Sequence, residues 1–213
     1  MITKDNVIEI NPKRIQSSTM KKVVEVVKKG GVIVYPTDTI YGLGCDAFRR
    51  KSVERIFKIK KRSLKNPTLV LVNNRNMLDE LVKDVSDCAM ILMKRFWPGP
   101  LTIVFRARKK INPLLVSHDG KIAIRIPDNK FCLKLIDECK TPIVSTSANI
   151  SGSDVITTFG KLKEVFQKKV DLMVDGGDLK SILPSTIVDV CEEKPVVLRE
   201  GVISRDDVER CIR

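Results

Sequence analysis

Histidine is nearly absent from this chain: His118 is the only one in 213 residues. A zinc site built on several histidines is therefore excluded, and a histidine-driven nucleophile triad would have to use that one residue. His118 stands in the turn-like segment Val116-Ser117-His118-Asp119-Gly120, where a surface loop position is the plainer reading. Aromatic residues make up 5% of the chain, with one Trp and two Tyr, and they are not interleaved with basic residues as on an RNA-stacking sheet. Neither a Walker loop nor G-x-G-x-x-G occurs, so a nucleotide would have to be held by scattered strand-end loops. None of the six cysteines forms a C-x-x-C pair. Lying mostly among apolar neighbours, they read as buried thiols of a reducing compartment rather than a disulfide framework. No apolar run is long enough to span a membrane, and the first residues lack the apolar core of a secretion signal. A cytoplasmic protein without membrane contact is expected.

What the chain has in excess is positive charge: 39 Lys plus Arg against 26 Asp plus Glu, a formal net charge of +13. Anionic partners such as nucleotide phosphates, tRNA or an acidic protein fit that balance; so does a merely solvated basic surface. The basic residues come as scattered pairs, not as a tail. Apolar residues make up 43%, enough for a sizeable core. Without repeats, low-complexity tracts or a linker, one domain over 1–213 with no second C-terminal domain is expected.

Periodicity predicts helices over 20–29, 52–60, 77–82, 86–96, 131–138, 160–167 and 206–212, the first capped by Ser17-Ser18-Thr19 and stopped by Gly30-Gly31. Apolar runs predict strands over 32–35, 68–72, 101–105, 122–126, 142–144, 172–174, 185–190 and 196–199. Trp97-Pro98-Gly99-Pro100 predicts a rigid turn. Such intermixing fits an α/β (α+β) chain with a mixed sheet flanked by helices.

The most informative stretch is Pro36-Thr37-Asp38-Thr39-Ile40-Tyr41-Gly42-Leu43-Gly44. Hydroxyls, a carboxylate and bare backbone after a buried strand suit close contact with a small polar ligand, or a turn capped by threonines. Lys60-Lys61-Arg62 at a helix end is either a complement to the helix dipole or a phosphate clamp of point charge and planar fork. Ser145-Thr146-Ser147-Ala148-Asn149 reads as a hydroxyl-rich loop beyond a strand, able to meet phosphate oxygens or to cap a helix. Pro184-Ser185-Thr186 and Arg199-Glu200-Gly201 frame two late strands. Arg125 lies among apolar neighbours and needs a partner if buried, either a ligand carboxylate or an internal acid.

In order along residues 20 to 201, GGVIVYPTDTIYGLGCDA, the Lys60-x-Arg62 pair with Asn66-Pro67, FWPGPLTIVF, AIRIP, PIVSTSANISG, PSTIVDV and LREG resemble the YrdC-like family of threonylcarbamoyl-adenylate synthases. The resemblance implies a twisted, mostly mixed sheet with helices around a concave basic face. It implies an enzyme joining L-threonine, bicarbonate or CO2, and ATP into threonylcarbamoyl-AMP with release of pyrophosphate, Mg²⁺ accompanying the ATP and no metal held by the protein itself. A separate transferase would pass the group to position 37 of tRNA. By the same resemblance Thr37, Tyr41, Arg125 and Ser185 attend L-threonine. Lys60, Arg62, Ser147 and Asn149 face the nucleotide phosphates, with Lys60 and Arg62 as the catalytic cations, and Lys121, Ser145 and Arg199 contact ATP. The segment Ser153-Asp154-Val155-Ile156-Thr157-Thr158 departs from the Pro-Ser-Pro-Thr-like stretch of relatives, which puts an ATP contact near Val155 in doubt. Two other readings stay open: an RNA- or tRNA-binding module without chemistry, and a carbamoyl-transfer enzyme on the same fold.

Overall fold

The computed structural model describes residues 6–64, 66–179 and 183–212. In chain order these hold β1 (Val7–Glu9), α1 (Ser17–Lys28), β2 (Ile33–Tyr35), β3 (Gly42–Asp46), α2 (Arg50–Lys60), β4 (Leu69–Leu71), α3 (Arg75–Leu81), α4 (Asp87–Phe96) and β5 (Leu101–Arg106). Then follow β6 (Lys121–Arg125), α5 (Lys130–Cys139), β7 (Ile143–Ser147), α6 (Phe159–Phe166), β8 (Leu172–Asp175), β9 (Thr186–Asp189), β10 (Val196–Arg199) and α7 (Arg205–Cys211). The strands form one sheet in the order β1-β8-β2-β3-β7-β4-β6-β5-β9-β10. Its pairings mix parallel (β1–β8, β2–β8, β4–β6, β5–β9) and antiparallel neighbours, so the mixed α/β sheet expected from the sequence is present.

The two-residue period of each strand sorts its side chains onto opposite faces. Val32, Val34, Leu43, Cys45, Val70, Val144 and Ile124 enter a large core with apolar residues of α2, α3, α4, α6 and α7. Their strand neighbours Ile33, Tyr35, Leu71, Ile143, Leu172 and Val174 join a second core against α1 and α5. That second core takes in no residue of β5, β6, β9 or β10. One face is thus covered along its length, whereas the other has helical cover over only part of the sheet.

Several local expectations are corrected. The glycine run does not end in a loop: Gly42–Asp46 is strand β3, pairing antiparallel with β2 and β7. Gly44 is bare for packing, since a Cβ there would stand 2.5 Å from the Val144 carbonyl oxygen and 2.7 Å from the Tyr35 ring. Helix α1 starts at Ser17 behind Gln16, without a side-chain cap; the sequence reading had the serines themselves as caps. Asn129 caps α5 by accepting from the Cys132 N–H at 3.0 Å. Strand β1 and the 3-10 turn Pro113–Leu115 were not anticipated; three residues are too few for a periodic signal. All six cysteines are free. No helix among the described residues is long and apolar enough to cross a membrane.

Candidate active site

Alternation along the strands builds the site. In β6, Ile122 and Ile124 point into the large core, so Ala123 and Arg125 point the other way. In β7, Ser145 and Ser147 share a face with Ile143. Beyond the cover of α1 and α5, these positions form the walls of a cleft of about 240 Å³. Thr37, Tyr41 and Gly42 close one side; Arg62, Thr68 and Leu69 line the middle; Ser185, Ile187 and Arg199 come from the far strands. Hydroxyls expected in a loop after β7 therefore belong to the strand itself. No acidic residue lines the cleft among the described residues.

The cations divide by partner. Lys60 is 1% exposed, and its ammonium donates to the Ser147 and Asn149 carbonyls and to Asn149 Oδ1 at 3.1 Å. Ser147 Oγ also donates to Asn149 Oδ1 at 2.6 Å. No carboxylate pairs with Lys60 among the described residues, and burial, followed by the charge of Arg62, pulls its ammonium down to about 8. The break between Lys60 and Arg62 comes from Lys61, which caps α2 in the left-handed conformation at φ 52°. Lys60 thereby turns inward and Arg62 toward the cleft. Arg62 donates to the Asn66 and Pro67 carbonyls at 2.7 and 2.9 Å, so the Asn66-Pro67 turn holds the fork from behind. Arg199 donates to the Ser185 carbonyl at 2.7 Å. Burial lowers both guanidinium groups from their ordinary range, and the charges of Arg125 and Arg62 lower Arg199 further.

Arg125, 4% exposed, differs. Its Nε donates to the Gly99 carbonyl at 2.9 Å, its Nη1 to Thr39 Oγ1 at 3.2 Å, and its Nη2 forms an ion pair with Asp38. Of the two kinds of partner open to it, the structure holds an internal acid, Asp38. Asp38, grouped in the sequence reading with substrate-binding hydroxyls, faces Arg125 and accepts from the Asp128 N–H at 3.1 Å. Thr37 lines the cleft, yet its hydroxyl also donates to the Ile40 carbonyl at 2.6 Å and accepts from the Thr39 N–H at 3.1 Å. It thus serves as turn cap and cleft wall together. Tyr41 likewise lines the cleft while its hydroxyl is engaged elsewhere, donating to Gly177 O and accepting from the Gly176 N–H.

Ser185 shares a 2.8 Å hydrogen bond with Thr102 Oγ1, a residue the sequence reading passed over. A hydroxyl inside the apolar run Leu101–Phe105 was the available signal. The close approach of residues 184–185 to 201 requires Gly201, where a Cβ would meet the Pro184 carbonyl at 2.1 Å. Val155, the doubtful position of the divergent segment, stands in the cleft wall. Lys121 does not line the cleft. At the start of β6 its ammonium pairs with Asp189, Asp119 and Glu192 at 2.9, 3.1 and 3.4 Å. The ATP contact expected of Lys121 therefore finds no support in its position, because the four-residue step to Arg125 carries it to the other end of the strand.

The family follows from the motif order and the fold together. The sequence model of the Sua5/YciO/YrdC family, described as "Telomere recombination", matches residues 25–201. The chain belongs to this family. It is 34% identical, over 93% of its length, to the threonylcarbamoyl-AMP synthase of Pyrococcus abyssi, of which it spans 58%. It is 35% identical to a putative threonylcarbamoyl-AMP synthase of Methanocaldococcus jannaschii, over 98% of this chain and 99% of that one. The crystal structure of P. abyssi Sua5 complexed with L-threonine superposes with a TM-score of 0.92 at 33% identity, covering 97% of this chain and 60% of that one. Escherichia coli YciO superposes at 0.88 and 31% identity, covering 95% and 98%.

Proposed function

We propose that this protein is an L-threonylcarbamoyladenylate synthase, a nucleotidyltransferase that makes threonylcarbamoyl-AMP and pyrophosphate from L-threonine, bicarbonate or CO2, and ATP. The product would supply a transferase that modifies tRNA at position 37. The observation that carries this reading is a cleft, its described lining free of acids, into which Arg62, Arg125 and Arg199 all open beside the hydroxyls of Thr37, Ser145 and Ser185. A polyphosphate and a carboxylate together call for such a set of cations. The P. abyssi relative crystallised with L-threonine supports the amino-acid half of the reading.

The chemistry needs no side-chain nucleophile. The threonine ammonium loses a proton, the amine adds to CO2 as a C–N bond forms and a C–O π bond opens, and a second proton leaves the nitrogen to water to give the carbamate. A carbamate oxygen then attacks the α-phosphorus in line, an O–P bond forms, and the bond to the β-phosphate oxygen breaks as pyrophosphate leaves. In this scheme Arg62 and Arg199 bind and neutralise the phosphates, Lys60 holds Ser147 and Asn149 in register behind them, and Arg125 orients the threonine carboxylate. Mg²⁺ would arrive with the ATP and offset phosphate charge, which suits a cleft whose described lining has no carboxylate. The net charge of +13 suits tRNA or an acidic transferase as a partner, and the free thiols suit a reducing cytoplasm.

Incubation of the purified chain with ATP, L-threonine and bicarbonate tests the reading. Pyrophosphate release that requires threonine, with an adenylate of the matching mass, is expected. No threonine-dependent release, with salt-sensitive tRNA binding alone, would replace the enzyme with a binding module.

A further inference from the structure

Three arginines open into the cleft, but only one carries a carboxylate. Arg125 is paired with Asp38, whereas among the described residues Arg62 and Arg199 donate only to oxygens of Asn66, Pro67 and Ser185. Neither has an ion-pair partner among the described residues. Asp38 itself is absent from the cleft lining; its carboxylate is anchored to the Asp128 N–H and lies against Arg125. The guanidinium is fixed further by Gly99 O and Thr39 Oγ1. The cleft therefore has an uncompensated zone at Arg62 and Arg199 and a compensated zone at Arg125.

We propose that Asp38 is a specificity-determining residue that partitions this cleft, cancelling the net charge at Arg125 so that the polyphosphate is confined to Arg62 and Arg199 and Arg125 is kept for a single carboxylate. The inference rests on the proposed reading of the cleft as a site for ATP and L-threonine. Its physical basis is the difference between the two ligands. A polyphosphate carries several negative charges and is drawn to the largest net positive potential, whereas an amino-acid carboxylate carries one and binds an oriented fork by paired hydrogen bonds. A neutralised but rigid arginine loses its pull on the first ligand and keeps its geometry for the second. Without Asp38 all three arginines would draw phosphate, and two substrates would contend for one zone.

The probes are inorganic pyrophosphate and L-threonine, titrated calorimetrically into the full chain. The native protein is expected to bind both at once, each affinity changing less than about twofold when the other ligand is saturating. In Asp38→Asn, saturating pyrophosphate is expected to weaken L-threonine binding at least tenfold, and Asp38→Glu is expected to restore independence. A purely structural role would lower thermal stability and leave the two ligands independent. Independent binding in Asp38→Asn, or competition already in the native chain, overturns the partition alone. A native chain that binds no L-threonine overturns it together with the proposed function. Should Asp38→Asn fail to fold, the double variant Asp38→Asn/Arg125→Gln removes both charges at once. It is expected to lose L-threonine binding and keep pyrophosphate affinity within about twofold; a tenfold loss of pyrophosphate affinity would sink the proposal.

Discussion

The start of strand β6 and the cleft beyond its other end treat their cations in opposite ways, apart from Arg125, which Asp38 pairs. At its start, Lys121 meets three carboxylates, and hydrogen bonds to Asp189 and Asp119 hold its ammonium well above the ordinary lysine range. Its charge is spent inside the molecule, tying the turn after Ser117 to the end of β9. At the other end lies the cleft, where Arg62 and Arg199 line the wall and Lys60 lies buried outside the lining; all three rest on carbonyl, hydroxyl or amide oxygens and are lowered by burial instead. A partly desolvated cation without a counter-charge costs stability in the free protein. An anionic ligand would recover that cost, so the uncompensated Arg62 and Arg199 are the candidates for contact with substrate phosphates.

The largest test of this contrast is Arg62→Ala. Turnover measured by pyrophosphate release should fall at least a hundredfold, with far-UV circular dichroism unchanged; near-native turnover would remove Arg62 from the phosphate zone. Arg62→Lys keeps the charge but loses the fork that spans Asn66 O and Pro67 O, and should recover only part of the loss.

A pH profile probes Lys60 next. Its folded-state value of about 8 lies below the ordinary 10.5, so kcat/KM for ATP, which reports the free enzyme, should fall as pH rises through about 8. A flat profile to pH 9.5 would contradict the assignment. The sign for stability is opposite. Between about 8 and 10.5 the unfolded chain binds more protons than the folded one, so folding stability contributed by this group rises with pH across that window. Below it the full cost of burying the ammonium remains.

Lys121→Met should leave turnover within about twofold while lowering stability by roughly 1–2 kcal/mol in urea unfolding, since Asp189 loses a partly buried partner. A large loss of turnover instead would return Lys121 to the nucleotide. The smallest effect is expected at Lys61. Lys61→Gly relieves a left-handed residue and should raise stability by about 0.5–1 kcal/mol, read as a higher unfolding midpoint. Destabilisation would mean that the Lys61 side chain holds the turn.

Much of the fold was legible because it rests on local periodicity. The helices at 52–60 and 131–138 and the strands at 122–126 and 196–199 emerge near their predicted places, since alternating or helical spacing of apolar residues is a property of the chain itself. The glycine motif misled for a physical reason. Gly42 and Gly44 look like turn residues, but their bareness answers the Tyr35 ring of the paired strand and the Val144 carbonyl of the next, neighbours that sequence order does not reveal. Ser145 and Ser147 were legible as chemistry and misplaced as loop, because a hydroxyl on a strand face that lacks helical cover looks locally the same as one in a loop.

The sequence by itself determined which groups were available for an anion: Lys60, Arg62, Arg125 and Arg199 with several hydroxyls, no set of histidines and no glycine cradle. Only the tertiary structure decided which cations remain uncompensated. Asp38 neutralises Arg125 from 87 residues away and Asp189 claims Lys121 from 68, and such pairings depend on strand order in the folded sheet. Charge composition is written residue by residue, whereas charge compensation falls off within a few ångströms and exists only once distant segments have met.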